Sequence, residues 1–284
     1  MEKITVPIQT TKVNEVINIV PIYDVHILNP TFQKKMYKQC IDFIAKTPNT
    51  YWFGGGDYGE FIRYTDKRFN PTHCYPDLKV KDLANIVDIE MKEFETLTGS
   101  ILTPEKCFGL GEGNHDLKLD DGSGNIVTKM CNNHGLKNLG YSGYIKLTLT
   151  RGASNSSKSF KIYYHHGWST ARTSGAKVNY VEKMALRHDC HVAVTGHCHS
   201  RTTTGPIDVS TFDGPALRYG IICGAWKSGV DFGQLTWEET RGYEQEHYKM
   251  GTWIIQIIPF PSGGGPMIFR VIEFDPLWTN VKVG

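Results

Sequence analysis

Five short stretches of this chain carry side chains able to hold a divalent cation. They are Asp24 with His26, Asp57 after three glycines, Asn114 and His115 after Gly113, His165 and His166 before Gly167, and His197 with His199 after Gly196. Carboxylate, amide and imidazole donors suit Mn2+, Zn2+ or Fe and include no thiolate. His115 can also act as an acid near neutral pH, with Asp116 beside it to orient the ring. Each piece has an ordinary alternative. Gly113-Asn114-His115-Asp116 taken alone could be a surface turn, and an isolated D-x-H is common by chance. A His-His pair at a strand end is more often packing than ligation, and Cys198 reads as a small buried spacer. The weight comes from repetition: each time, metal-competent side chains follow an apolar run.

Those runs predict the elements that must position the side chains. Val16–Tyr23 (VINIVPIY) reads as a buried strand leading into Asp24. A helix follows Asn29-Pro30-Thr31, with Met36, Tyr37, Cys40, Ile41 and Ile44 at helical spacing and Pro48 closing it. Tyr51–Phe53 is a short strand emptying into Gly54–Asp57. Leu78–Leu97 is amphipathic and helical, and Cys107 and Phe108 mark a third strand ending at Asn114. Asp120–Asn125 is a turn-rich loop, and Thr128–His134 a short helix. Tyr144–Thr150 and Phe160–His166 form a hairpin across the Ser-rich turn 152–159. Lys177–His188 is a helix and His191–Thr195 a buried strand. Leu217–Cys223, Thr252–Phe260 and Met267–Phe274 are further strands. Alternating strands and helices predict an α/β layered fold with its site at the carboxyl ends of strands. If His197 and His199 lie on a strand, they share a face, whereas His165 and His166 face opposite ways.

Composition narrows the class. At 284 residues, 40% hydrophobic and 21% charged, the chain is of ordinary globular type, and no Pro/Ser-rich linker divides it, so residues 1–284 are expected to form one domain. A formal charge of +2 neither requires nor excludes a nucleic-acid partner. Seven cysteines without a C-x-x-C pair argue against a disulfide framework or zinc ribbon and suit a cytoplasmic protein. The first sixteen residues lack the apolar core of a signal peptide, and the longest apolar run, Trp253–Phe260, is too short to span a bilayer. No membrane role is expected.

In this order, Asp24-x-His26, Gly56-Asp57, Gly113-Asn114-His115-Asp116, His166-Gly167 and Gly196-His197-x-His199 resemble the motifs of the calcineurin-like metallophosphoesterases, over roughly Val16–Ser200. The resemblance implies a four-layer α/β/β/α sandwich of two mixed sheets with a binuclear metal site. It implies that Asp24, His26 and His199 hold one ion, that Asp57 bridges both, and that Asn114, His166 and His197 hold the second. His115 would protonate the leaving oxygen, held by Asp116. The family's ligand stands directly before the glycine, which favours His166 over His165. Two divalent ions, Mn first and Zn, Fe or Mg as alternatives, can bind the attacking and leaving oxygens of an in-line displacement, so no serine or cysteine nucleophile is required.

Residues beyond Arg201 fall outside the motifs. The connection 224–250 carries Trp226, Phe232, Trp237, Tyr243 and Tyr248, which could stack on a base, line a pocket rim, or simply pack. Arg172, Lys177 and Arg201 stand near the motifs and could hold a phosphate. The expected activity is phosphodiester hydrolysis on a nucleotide or nucleic-acid type substrate. A phosphomonoesterase or protein phosphatase is the alternative, and a catalytically silent metal-bearing interaction module a lesser one. Protein phosphatases of the family tend to show R-G-N-H-E, whereas here Glu112 precedes Gly113 and Asp116 stands in place of their Glu. Oligomeric state is not legible.

Overall fold

The computed structural model describes residues 1–67, 69, 78–117, 125–152, 156–169, 171–211, 214–229 and 249–274. Most of the expected 120–125 loop, the centre of the 152–159 turn, and residues 230–248 of the aromatic connection lie outside the described residues. The chain runs β1 (Glu2–Thr10), β2 (Ile17–Ile22), α1 (Lys34–Lys46), β3 (Thr50–Gly54), a 3-10 turn leading into α2 (Ile86–Thr98), β4 (Cys107–Gly111) and a single helical turn α3 (Asn114–Leu117). It continues through α4 (Ile126–His134), β5 (Asn138–Gly140), β6 (Ser142–Arg151), β7 (Ser157–His165), α5 (Ser174–Arg187) and β8 (Val192–Thr195). The strands β9 (Thr202–Thr211), β10 (Gly214–Ile222), β11 (Trp253–Ile258) and β12 (Ile268–Glu273) follow.

Two six-stranded sheets result, ordered β12-β11-β2-β3-β4-β5 and β1-β6-β7-β8-β10-β9. Both are mixed. In the first, β2 to β5 run parallel and β11 antiparallel to β2. In the second, β7, β8 and β10 run parallel, while β6–β7 and β9–β10 are antiparallel. Side-chain alternation along β2 accounts for the layering. Ile17 and Ile19 face the second sheet in a core with Phe53, Ile145, Phe160 and Val194. Val20 and Ile22 face the other way, toward Ile41, Phe94 and Val127 of α1, α2 and α4. A smaller cluster, Tyr163, Met184, Ala185 and Ala193, sits under α5. The order helix, sheet, sheet, helix is the expected four-layer sandwich.

The expected hairpin is the β6–β7 pair, with Tyr144 opposite Tyr163. α1 buries Tyr37, Cys40, Ile41 and Ile44, spaced as one apolar stripe. α4 and α5 begin earlier than expected, at side-chain caps: Asn125 accepts from Thr128 N at 3.0 Å, and Thr173 from Ala176 N at 3.3 Å. Three strands were not foreseen, β1, β5 and β9, and all three are sheet edges. An edge strand pairs once and stays largely exposed, so it tolerates Pro7 or Pro206 and lacks the apolar density that marks a central strand. The six described cysteines are free thiols. No helix among the described residues is long and apolar enough to cross a membrane.

Candidate metal centre at the strand ends

β2, β3 and β4 are parallel neighbours, so their carboxyl ends share one edge of the first sheet, and β7 and β8 end together in the second. Hydrogen bonds stitch these ends to one another. Asp24 N donates to Gly56 O at 3.0 Å and His26 N to Asp57 O at 3.1 Å. Across the sheets, His197 N donates to Asp24 Oδ2 at 2.8 Å, and His166 Nδ1 meets Gly55 O at 2.9 Å. Two glycines bring the β3 and β4 loops into backbone contact. A Cβ on Gly56 would lie 2.2 Å from Gly113 N, and one on Gly113 would lie 2.1 Å from Asp57 Oδ1.

The side chains gather into three groups, each with donor atoms within 4.8 Å of one another: Asp24, His26 and His199; Asp57, His166 and His197; and, sharing His26 with the first, His26, Glu60 and His115. In the first, His26 Nε2 faces His199 Nε2 at 3.1 Å, and His199 Nε2 lies 3.7 Å from Asp24 Oδ1. In the second, His166 Nε2 lies 3.3 Å from Asp57 Oδ2, and Asn114 Oδ1 lies 3.0 Å from His166 Nε2 and 2.8 Å from His197 Nδ1. Asp24 Oδ1 is fully buried and has no hydrogen-bond partner, so a cation bound there would satisfy it. Burial, with Asp57 nearby, pushes the Asp24 carboxyl up to about 7, and a bound positive charge would stabilise its ionised form. Burial also opposes ionisation of Asp57, but His166 and His115 outweigh it and hold that carboxyl well below the usual range. Burial lowers His26 and His199, which favours the neutral imidazoles a cation needs. These residues fit a pair of divalent ions.

The backbone reaches this arrangement through the left-handed region. Asp24, His26, Asp57, His197 and His199 all have φ between 48° and 66°, and they make up five of the nine described non-glycine residues at positive φ. His197 and His199 therefore do not sit on a strand, as their spacing suggested. β8 stops at Thr195, and the two rings diverge into different groups. His165 ends β7 and falls in neither of the first two groups; its Nδ1 accepts from Gly167 N at 2.9 Å.

His115 lies beside the first group, its ring 5.1 Å from that of His26. The expectation that Asp116 orients it is corrected by the contacts. The Asp116 carboxylate accepts from Asp57 N at 2.7 Å and Gly113 N at 2.6 Å, bracing the two loops because four-residue α3 turns it back toward its own N-terminus. The His115 ring is held by Glu60, a residue the motifs did not single out. Its Nδ1 donates to Glu60 O at 2.9 Å and lies 3.4 Å from Oε2. Glu60 Oε1 faces His26 Nδ1 at 3.3 Å and the ammonium of buried Lys227 at 3.1 Å. Burial works against the Glu60 carboxylate, but Lys227 and His26 hold it well below the usual range. A carboxylate three residues after Asp57 was the available signal, and Lys227, distant in sequence, offered none.

Of the cationic candidates, Arg201 bonds Glu273 Oε2 at 2.9 Å and Phe274 O at 3.1 Å through its guanidinium, which lies over the Trp253 ring. Arg172 is exposed just before α5, and Lys177 is buried on that helix. Trp226, counted among residues free to stack, is fully buried against Tyr37 and Phe274.

Two mixed sheets between helices thus carry donor groups of Asp, Asn and His at their strand ends. No family model and no curated protein matches the chain. Solved structures similar to it include Vps29 from Chaetomium thermophilum, 11% identical over 90% of this chain and 95% of that one, with a TM-score of 0.35. A metallophosphoesterase from Sphaerobacter thermophilus is 12% identical over 92% and 89%, with a TM-score of 0.36. The calcineurin-like phosphoesterase YfkN from Bacillus subtilis is 9% identical over 90% and 90%, with a TM-score of 0.39.

Proposed function

We propose that this chain is a binuclear-metal-dependent phosphodiesterase acting on nucleotide-type diesters. The observation that carries the reading is the convergence of two donor groups, Asp24–His26–His199 and Asp57–Asn114–His166–His197, with the His115 ring alongside. Two bound divalent ions would supply Lewis acidity at the attacking and leaving oxygens and an activated water. The chain's own residues do the rest. Asp24 and Asp57 bring negative charge that offsets the ions, and Asn114 adds a donor without charge, which leaves the site attractive to phosphate. His115 Nε2, with Nδ1 held by Glu60, is the position from which a proton reaches the leaving oxygen. Asp116 keeps the Asp57 and Asn114 loops in register.

Diester preference is supported by Glu112. Its Oε1 accepts from Asn125 and Asn138 Nδ2, each at 2.7 Å, so the residue before Gly113 offers no cation for the second charge of a monoester. The test is kcat/KM on matched nitrophenyl mono- and diesters with Mn2+. The diester is expected to be hydrolysed at least as efficiently, and a strong monoester preference would move the protein to the phosphatase class.

A further inference from the structure

Two residues past His166, the chain leaves Trp168 60% exposed, the one exposed indole among the described residues. Single exposed apolar side chains are ordinary. This one differs in how firmly it is held and in what holds it. Its ring meets His165 at 4.6 Å and Tyr180 of α5 at 5.0 Å, both edge-to-face. His165 meets Tyr141 at 5.2 Å, and Tyr141 meets His166 at 5.3 Å. An unbroken line of ring contacts thus runs from a ligand candidate to the surface.

The backbone around it is pinned as well. Gly196 N donates to His166 O at 2.8 Å, Tyr141 Oη to Gly167 O at 2.8 Å, and Cys198 Sγ to Ser169 O at 3.3 Å. Gly167, at φ 127°, permits the approach: a Cβ there would sit 2.7 Å from His197 Cβ. Trp168 therefore emerges beside the second donor group, bound on both sides to the loop that carries His197 and His199.

From this placement we infer that Trp168 is a stacking platform for a nucleobase carried by the substrate, beside the Asp57–His166–His197 group. The inference rests on the reading of that site as a phosphoesterase centre. A ring fixed before the ligand arrives loses little conformational freedom on binding. Stacking accepts any base, because every base presents a π-face. The occupant is flat and heteroaromatic because the neighbouring chemistry handles phosphate esters, and a nucleoside is the arm of such an ester that offers a planar ring.

The test is calorimetric binding to the Mn2+-loaded protein, with two phosphonates whose C–P bond resists hydrolysis: the methylenephosphonate isostere of adenosine monophosphate, and ethylphosphonate, which lacks the nucleoside. W168A is expected to weaken the adenosine ligand about tenfold, the size of one lost base–aromatic stack, and W168F to restore most of it. Neither substitution should change ethylphosphonate binding. The inference is overturned if wild type binds both ligands equally, if W168A leaves the adenosine ligand unaffected, or if it weakens both alike. Hydrolysis of methyl nitrophenyl phosphate by wild type tests the catalytic reading separately, since its absence would remove that reading and leave the binding comparison standing.

Discussion

The His115 ring is fastened to Glu60, its Nδ1 donating to the Glu60 carbonyl at 2.9 Å and lying 3.4 Å from Oε2, while the other oxygen of that carboxylate faces His26. One side chain thus supports both a ligand candidate and the proposed acid. Glu60→Gln is expected to lower kcat for an alkyl-leaving diester by roughly 10–100-fold and to weaken metal retention. Steady-state kinetics with elemental analysis decide it, and unchanged values of both would remove Glu60 from the site.

His115→Gln should separate acid from ligand. Metal content is expected to stay at the wild-type level. Activity should fall about 10²–10⁴-fold for alkoxide leaving groups and far less for nitrophenolate, which needs no proton. Loss of metal from this variant would make His115 a ligand instead.

Chelation is expected to abolish activity, and reconstitution with Mn2+ to approach two ions per chain. Asp57→Asn should weaken both ions, whereas His26→Ala should chiefly weaken one. A single tightly held ion indifferent to Asp57→Asn contradicts the binuclear reading.

The Glu60–Lys227 pair, at 3.1 Å with Lys227 6% exposed, makes a stability prediction. Removing the carboxylate takes away the anion that the buried Lys227 ammonium faces. Glu60→Gln should therefore cost the metal-free protein about 3 kcal/mol in denaturant unfolding. The double variant Glu60→Gln, Lys227→Met should recover part of that loss, and a strictly additive result would show that the pair is not coupled.

Glu90 supplies the pH dependence. It is 3% exposed and accepts from Phe61 N at 2.6 Å, and burial raises its carboxyl well above the usual value despite that bond. Below pH ~4.5 both states hold the proton and nothing is lost. Above that, the unfolded chain releases a proton the folded chain keeps, so stability falls as pH rises, by up to about 1.4 kcal/mol per unit. Glu90→Gln keeps an acceptor for Phe61 and removes the titration. Its stability relative to wild type should therefore rise between pH 5 and 7 in paired urea melts, and a flat difference would show that Glu90 is ionised in the fold.

The central strands were legible in the sequence because burial on both faces demands largely apolar runs such as that of β2, interrupted only by Asn18, and their polar termini could be read as donors by residue type alone. The edge strands β1, β5 and β9 were not, because a strand with one neighbour needs no such run. Nor could spacing say that His197 and His199 would part. Two-residue spacing implies a shared face only on extended backbone, and here both residues adopt positive φ. Asp116 and Glu60 make the same point. Adjacency to His115 suggested Asp116 as its partner, yet a single helical turn points that carboxylate back at the loop amides, while Glu60 arrives from the end of another strand. Residue type is a local property written in the chain. Which donors meet depends on how two sheets bring their ends together, and only the tertiary structure decides that.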